Sequence, residues 1–91
     1  FDETNRTLFA FAAYNAGPGR IARLRKEAER EGLDPDQWFN NVELIAAKRV
    51  GQETVGYVRN IFKYYVAYKL QLETLATRRS LLQQGGMPGM K

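Results

Sequence analysis

The sequence predicts an all-α fold of about four helices, the last of them long. Three observations lead there. Apolar residues recur at steps of three and four through most of the 91 residues. Breaks at Gly17, Gly32 and Gly51 divide the chain into segments of helical length. No stretch alternates apolar and polar residues as a half-buried strand does, and no segment repeats.

The first helix is expected from Glu3 to Ala16, capped by Thr4 or Asp2. Leu8, Phe9, Phe11, Ala12 and Ala13 make it apolar nearly all round, which predicts a central position. Gly17 supplies the stop, and Pro18 suits the first turn of a second helix. That helix, Pro18 to about Glu31, is amphipathic. Ile21, Leu24 and Ala28 share one face, and Arg20, Arg23, Arg25, Lys26 and Arg30 occupy much of the rest.

Gly32 ends the second helix. "GLDPDQWFNN" follows as a loop with turn chemistry at Asp34-Pro35-Asp36, and its Trp38 and Phe39 are expected to anchor it to the core. A short helix runs from Val42 to about Val50. After Gly51 a helix from Gln52 to about Leu82 carries two adjacent stripes. One holds Val55, Val58, Phe62, Tyr65, Lys69 and Leu72; the other holds Tyr57, Ile61, Tyr64 and Tyr68; Tyr64, Tyr65 and Tyr68 are expected in the core. The Gly-rich end, "QQGGMPGMK", is expected to be disordered.

Composition narrows the chemistry. The chain is 44% hydrophobic, enough for one small domain with a thin core. It carries a net charge of +4, which mildly favours anionic partners without choosing among them. It has no Cys, so disulfides, thiolate chemistry and Cys-based zinc sites are excluded within it. It has no His, which removes the Ser-His-Asp triad, a His general base and most transition-metal sites. Neither a metal nor a cofactor is expected. No apolar run approaches the roughly 20 residues that span a bilayer, and no signal peptide opens the chain. Its start, "FDETNRTLF", lacks a Met and reads as that of an excised fragment, so a missing targeting signal says little about location.

Two places concentrate hydrogen-bonding groups. Tyr14-Asn15 ends the apolar run of "AFAAYNAGPGRI". The plainer reading is that Asn15 helps end the helix and Tyr14 packs. The functional one is a cleft wall, where Asn offers two donors and an acceptor and Tyr offers a stacking face and a hydroxyl. The second place is "GQETVGYVRNIFKYYVAYKL". Glu53 sits in the first helical turn, where the macrodipole favours the ionised carboxylate, a state suited to accepting hydrogen bonds more than to general-acid work. Tyr57 lies one turn on, along the same face. Glu53 and Tyr57 read equally well as a helix-start charge with a core tyrosine, or as parts of a site. "GPGR" lacks the Lys-Ser/Thr and the preceding strand of a phosphate loop. The basic second helix reads first as a solvated face, partly neutralised by Glu27, Glu29 and Glu31.

Taken in order, these segments resemble one family. "AYNAGPGRI", Ala13 to Ile21, resembles the Ala-Tyr-Asn-Ala-Gly segment of the lytic transglycosylases with a lysozyme-like fold. "ETVGYVRNIFKYY", Glu53 to Tyr65, resembles that family's later Glu-Thr-x-x-Tyr-Val segment, at a fitting distance. "WFNNVELIAAKRVGQETVGYV" is similar to the membrane-bound type, often fused to a solute-binding-like domain. The resemblance covers about residues 4 to 70. It implies that residues 1–75 are the C-terminal part of a lysozyme-like catalytic domain and that 76–91 are a helix end and flexible tail.

The resemblance also implies an activity. Such enzymes cleave the β-1,4 bond between N-acetylmuramic acid and N-acetylglucosamine in peptidoglycan and leave 1,6-anhydro ends. One Glu serves as acid and then base, without a metal. That Glu lies in a Glu-Ser-x-Phe motif followed by Gly-Leu-Met-Gln, and this chain contains neither, so no catalytic residue is assigned within it and the chain alone is expected to be inactive. Glu43 is read as a helix-face or structural residue. By the resemblance, Tyr14 and Asn15 line the glycan cleft. Tyr57 hydrogen-bonds the catalytic carboxylate, and Glu53 is a polar cleft or buried-support residue. Peptidoglycan strands are the implied partner, in the periplasm or at the outer membrane, with membrane association of the intact protein and no nucleic acid. Self-association is expected of a half-domain that exposes part of its core. The alternative is a non-catalytic helical module that holds an acidic polymer through its basic helix, or a partner protein.

Overall fold

The computed structural model describes residues 2–83, and every regular element among them is helical. Four helices follow in order: α1 (Glu3–Ala16), α2 (Pro18–Arg30), α3 (Glu43–Arg49) and α4 (Gln52–Gln83). Phe1 and most of the segment expected to be disordered, 84–91, lie outside the described residues.

Local chemistry sets the boundaries. Asp2 Oδ1 accepts the Asn5 backbone N–H at 2.8 Å, which makes Asp2 the cap of α1 rather than Thr4. This bond, with a second from the Asn5 side chain, holds the Asp2 carboxyl below its ordinary range. Gly17 closes α1 and opens α2 at φ 99°, ψ 136°, a conformation from which L side chains are largely excluded. Its N–H donates to the Ala13 carbonyl and its carbonyl accepts from Ile21 N–H, so one residue serves both helix ends. At the end of α2, Gly32 adopts φ 83°, and Leu33 N–H donates to the Ala28 carbonyl at 2.8 Å. Leu33 then packs on the core, the hydrophobic contact that accompanies such a stop.

α1 packs against α2, α4 and the turn at Trp38–Val42, which is the central position its composition predicts. The core is small: Leu8, Phe9 and Ala12 from α1 meet Ile21, Leu24 and Ala28, then Trp38, Val42, Ile45 and Ala46, then Val55 and Val58. Ile21, Leu24 and Ala28 are the buried face read from the sequence. Trp38 is the largest fully buried side chain, with the Phe9 ring edge-on at 5.8 Å.

Trp38 is held by an unexpected partner. Asn5 lies on the buried face of α1, and its Oδ1 accepts the Trp38 backbone N–H at 2.8 Å. Its Nδ2 donates to Asp2 Oδ1 at 3.0 Å. Beyond Trp38 the chain is not regular: Phe39 is extended and Asn40 sits at φ 61°, a left-handed conformation that Asn tolerates. Glu43 Oε1 accepts the Asn40 N–H at 3.2 Å, a contact that helps hold the turn. Of the two expected loop anchors, only Trp38 is buried; Phe39 stays partly exposed and lies edge-on to Phe62.

α4 departs from expectation beyond its first half. Val55 and Val58 are buried, while Phe62 and Tyr65 are half-buried, with Tyr65 against Phe11. From Val66 to Gln83 every residue is exposed. Tyr64 and Tyr68 are therefore not core residues, at 71% and 63% exposure. The helix simply outruns what it packs on, so its stripes continue with no described element facing them. The radius of gyration, 18.5 Å, records this overhang; a compact chain of this length would have about 12 Å.

Two substitutions separate the parts of the Trp38 anchor. Asn5→Ala leaves the Trp38 amide buried without its acceptor and is expected to cost about 1–3 kcal/mol. The Trp38 indole Nε1 is buried with no hydrogen-bond partner. Trp38→Phe removes that unpaired donor and should cost less than the roughly 3–5 kcal/mol of Trp38→Ala. Urea unfolding of the three variants checks the order.

Candidate functional site

The four residues singled out in the sequence fall at the C-terminal end of α1 and the N-terminal end of α4. One hydrogen bond joins these ends: Thr54 Oγ1 donates to Asn15 Oδ1 at 2.7 Å. Thr54 is buried and Asn15 is exposed, so the bond runs from the core to the surface. Asn15 has used its acceptor, and its Nδ2 donors have no described partner. Tyr14 is 85% exposed, so the reading in which it packs does not hold. Adjacent helix positions point about 100° apart. The corner therefore presents a carboxamide anchored to α4 beside a free-standing phenol.

On α4, Glu53 immediately precedes Thr54 and is exposed. Tyr57 is half-buried and packs against the core cluster. Glu53 and Tyr57 thus lie within a turn of the residue that grips Asn15. Such a corner can donate hydrogen bonds to a neutral polar ligand and offer a ring for stacking. It has no cluster of His, Cys, Asp or Glu able to hold a metal ion among the described residues.

Thr54 and Asn5 escaped the sequence reading. Asn5 falls at the spacing of Leu8, Phe9 and Ala12, and that spacing was the available signal for burial. Thr54 lies inside the quoted Glu-Thr-x-x-Tyr-Val segment, but a threonine in a first helical turn carries no distinctive pattern.

The chain resembles known proteins at the level of sequence. It is 39% identical to membrane-bound lytic murein transglycosylase F of Stutzerimonas stutzeri (strain A1501), over 70% of this chain and 16% of that protein. Identity to the protein of that name from Ectopseudomonas mendocina (strain ymp) is 40%, over 69% of this chain and 16% of the relative. For the one from Marinobacter nauticus it is 41%, over 69% and 15%. The chain spans about one sixth of the length of these curated relatives. No family model matches it, and no solved structure does.

Thr54→Val removes the donor while keeping the side-chain shape. It is expected to cost about 1 kcal/mol and to broaden the rotamer distribution of Asn15, read from relaxation of its side-chain amide. Thr54→Ser should preserve both.

Proposed function

On its homology to the lytic murein transglycosylases, we propose that this chain forms one wall of the glycan cleft of a peptidoglycan lytic transglycosylase. In this reading it is the C-terminal half of a lysozyme-like domain, and the catalytic Glu lies upstream. The observation that carries the proposal is the Asn15–Thr54 hydrogen bond, which fixes a carboxamide donor at the exposed junction of two helices. The relatives' shared name supports peptidoglycan as the substrate, and with it an envelope location, periplasmic or at the outer membrane.

The chemistry proposed is cleavage of the MurNAc-β-1,4-GlcNAc bond. The upstream Glu gives its proton to the leaving glycosidic oxygen, with the substrate's N-acetyl group assisting. The muramic 6-hydroxyl then attacks the sugar C1 in place of water and returns a proton to the same carboxylate. A 1,6-anhydro end results, and the two-carboxylate arrangement of most glycosidases reduces to one. Within this chain, Asn15 Nδ2 would donate to an N-acetyl carbonyl or to backbone near the reacting sugar. Tyr14 would stack on a sugar face, and Tyr57 would hydrogen-bond the catalytic carboxylate. Glu53, being exposed, fits the polar-cleft role.

The test joins the chain to its natural upstream residues and reads the masses of the digested peptidoglycan. Disaccharide-peptides one water lighter than lysozyme products are expected, and none from the 91-residue chain alone. In the joined protein Asn15→Ala should lower turnover by roughly 10- to 100-fold, about 1.4–2.7 kcal/mol in the barrier, with a smaller loss of stability. Hydrated ends would indicate a hydrolase. No products from a folded protein would favour the non-catalytic helical module, and full activity of Asn15→Ala would remove that residue from the cleft.

A further inference from the structure

Away from the α1–α4 corner, α2 and the end of α3 line an open groove of about 570 Å³. Arg20, Arg23, Lys26 and Arg30 line it from α2, and Arg49 lines it from the end of α3. Leu24 and Val50 give it an apolar wall. Positions 20, 23, 27 and 30 follow steps of three and four, so they form one stripe about 15 Å long.

The acids of α2 do not neutralise this stripe. Glu27 is the acid that borders the groove, and it is engaged by Arg49, whose Nε and Nη2 lie 2.8 and 2.7 Å from its Oε2. The Arg49 guanidinium holds the Glu27 carboxyl below its ordinary range. Glu31 pairs with Lys48 of α3 at 3.6 Å. Arg25 points elsewhere, to Asp36 and the Pro35 carbonyl. Of the three acids expected to neutralise the helix in part, α3 takes Glu27 and Glu31, and Glu29 makes no ion pair among the described residues. Arg20, Arg23, Lys26 and Arg30 face one groove with no ion pair among the described residues.

We propose that this groove binds a phosphate-bearing anion carrying two or more negative charges. Four unpaired cations around one groove exceed what a single carboxylate neutralises. Guanidinium forks match phosphate oxygens two at a time and remain charged at every physiological pH. Leu24 and Val50 offer the organic part of the ligand a surface that a bare inorganic ion would not need. The proposal stands on the groove alone and does not depend on the glycan reading. A soluble phosphate compound and the headgroup of an anionic lipid share this chemistry.

The test uses the 91-residue chain with two probes at low and physiological salt. Inorganic pyrophosphate is titrated by calorimetry. Vesicles of phosphatidylglycerol in phosphatidylcholine are compared with phosphatidylcholine alone by co-sedimentation. Saturable binding of at least one probe is expected, falling with added salt. Pyrophosphate alone identifies a soluble ligand, and the anionic vesicles alone identify a headgroup. Arg20→Gln/Arg23→Gln should weaken binding by roughly tenfold or more, since charge-assisted hydrogen bonds are removed. Arg6→Gln, on α1 outside the groove, should change nothing. Glu27→Gln should tighten binding, because it removes the bordering negative charge and releases Arg49, an effect opposite in sign to loss of folding. Binding of neither probe overturns the proposal. So does an affinity unchanged by Arg20→Gln/Arg23→Gln. Equal binding of a tetraglutamate peptide also overturns it, because the groove would then read charge alone.

Discussion

Tethering of α1 at both ends by asparagine side chains is the constraint on which the rest of the structure depends. At its start, Asn5 accepts the Trp38 amide and is itself oriented by Asp2. At its end, Asn15 accepts from Thr54. Ten residues separate the two, about 15 Å along the axis and about 80° apart around it. One asparagine therefore reaches the 38–42 turn while the other reaches α4. The buried apolar set includes three alanines, Ala12, Ala28 and Ala46, which add little volume. A core that thin specifies helix rotation weakly, and directional bonds at both ends of the central helix supply what packing alone leaves loose.

Much of the architecture was legible because its determinants are local. Gly17 and Gly32 stop helices by backbone conformation, and Ile21, Leu24 and Ala28 declare a buried face by spacing. The rest depended on what lies across space. Tyr64 and Tyr68 sit at the same helical spacing as Phe62 and Tyr65, and periodicity does not record where the facing element ends. Phe39 follows Trp38 directly, yet its backbone is extended, and neighbouring side chains of extended backbone leave on opposite sides. Asn5 was hidden by its polarity: a buried carboxamide is tolerable only when its partners arrive, and Trp38 is 33 positions away. At the candidate site, Tyr14 and Asn15 stood out as polar groups closing an apolar run. Thr54, which gives Asn15 its fixed position, did not.

The α1–α4 corner and the α2–α3 groove differ in their electrostatics. The α1–α4 corner offers neutral donors and a ring, suited to a sugar whose recognition changes little with salt. The α2–α3 groove offers unpaired cations whose attraction is screened by it. The Glu27–Arg49 and Glu31–Lys48 pairs link α2 to α3, and in doing so they remove from α2 the acids that would have quenched its own arginines. Packing of the short third helix and the positive character of the groove thus follow from the same contacts.

In the proposed function, Asn15, its oxygen held by Thr54, presents its amide nitrogen to a glycan. The most direct measurement follows the Asn15 side-chain amide resonances in the chain joined to its upstream residues, during titration with an oligosaccharide of alternating N-acetylglucosamine and N-acetylmuramic acid. These resonances are expected to shift and saturate together with the backbone amides at the α1–α4 corner. Saturable binding that leaves the Asn15 side chain unmoved would contradict that role.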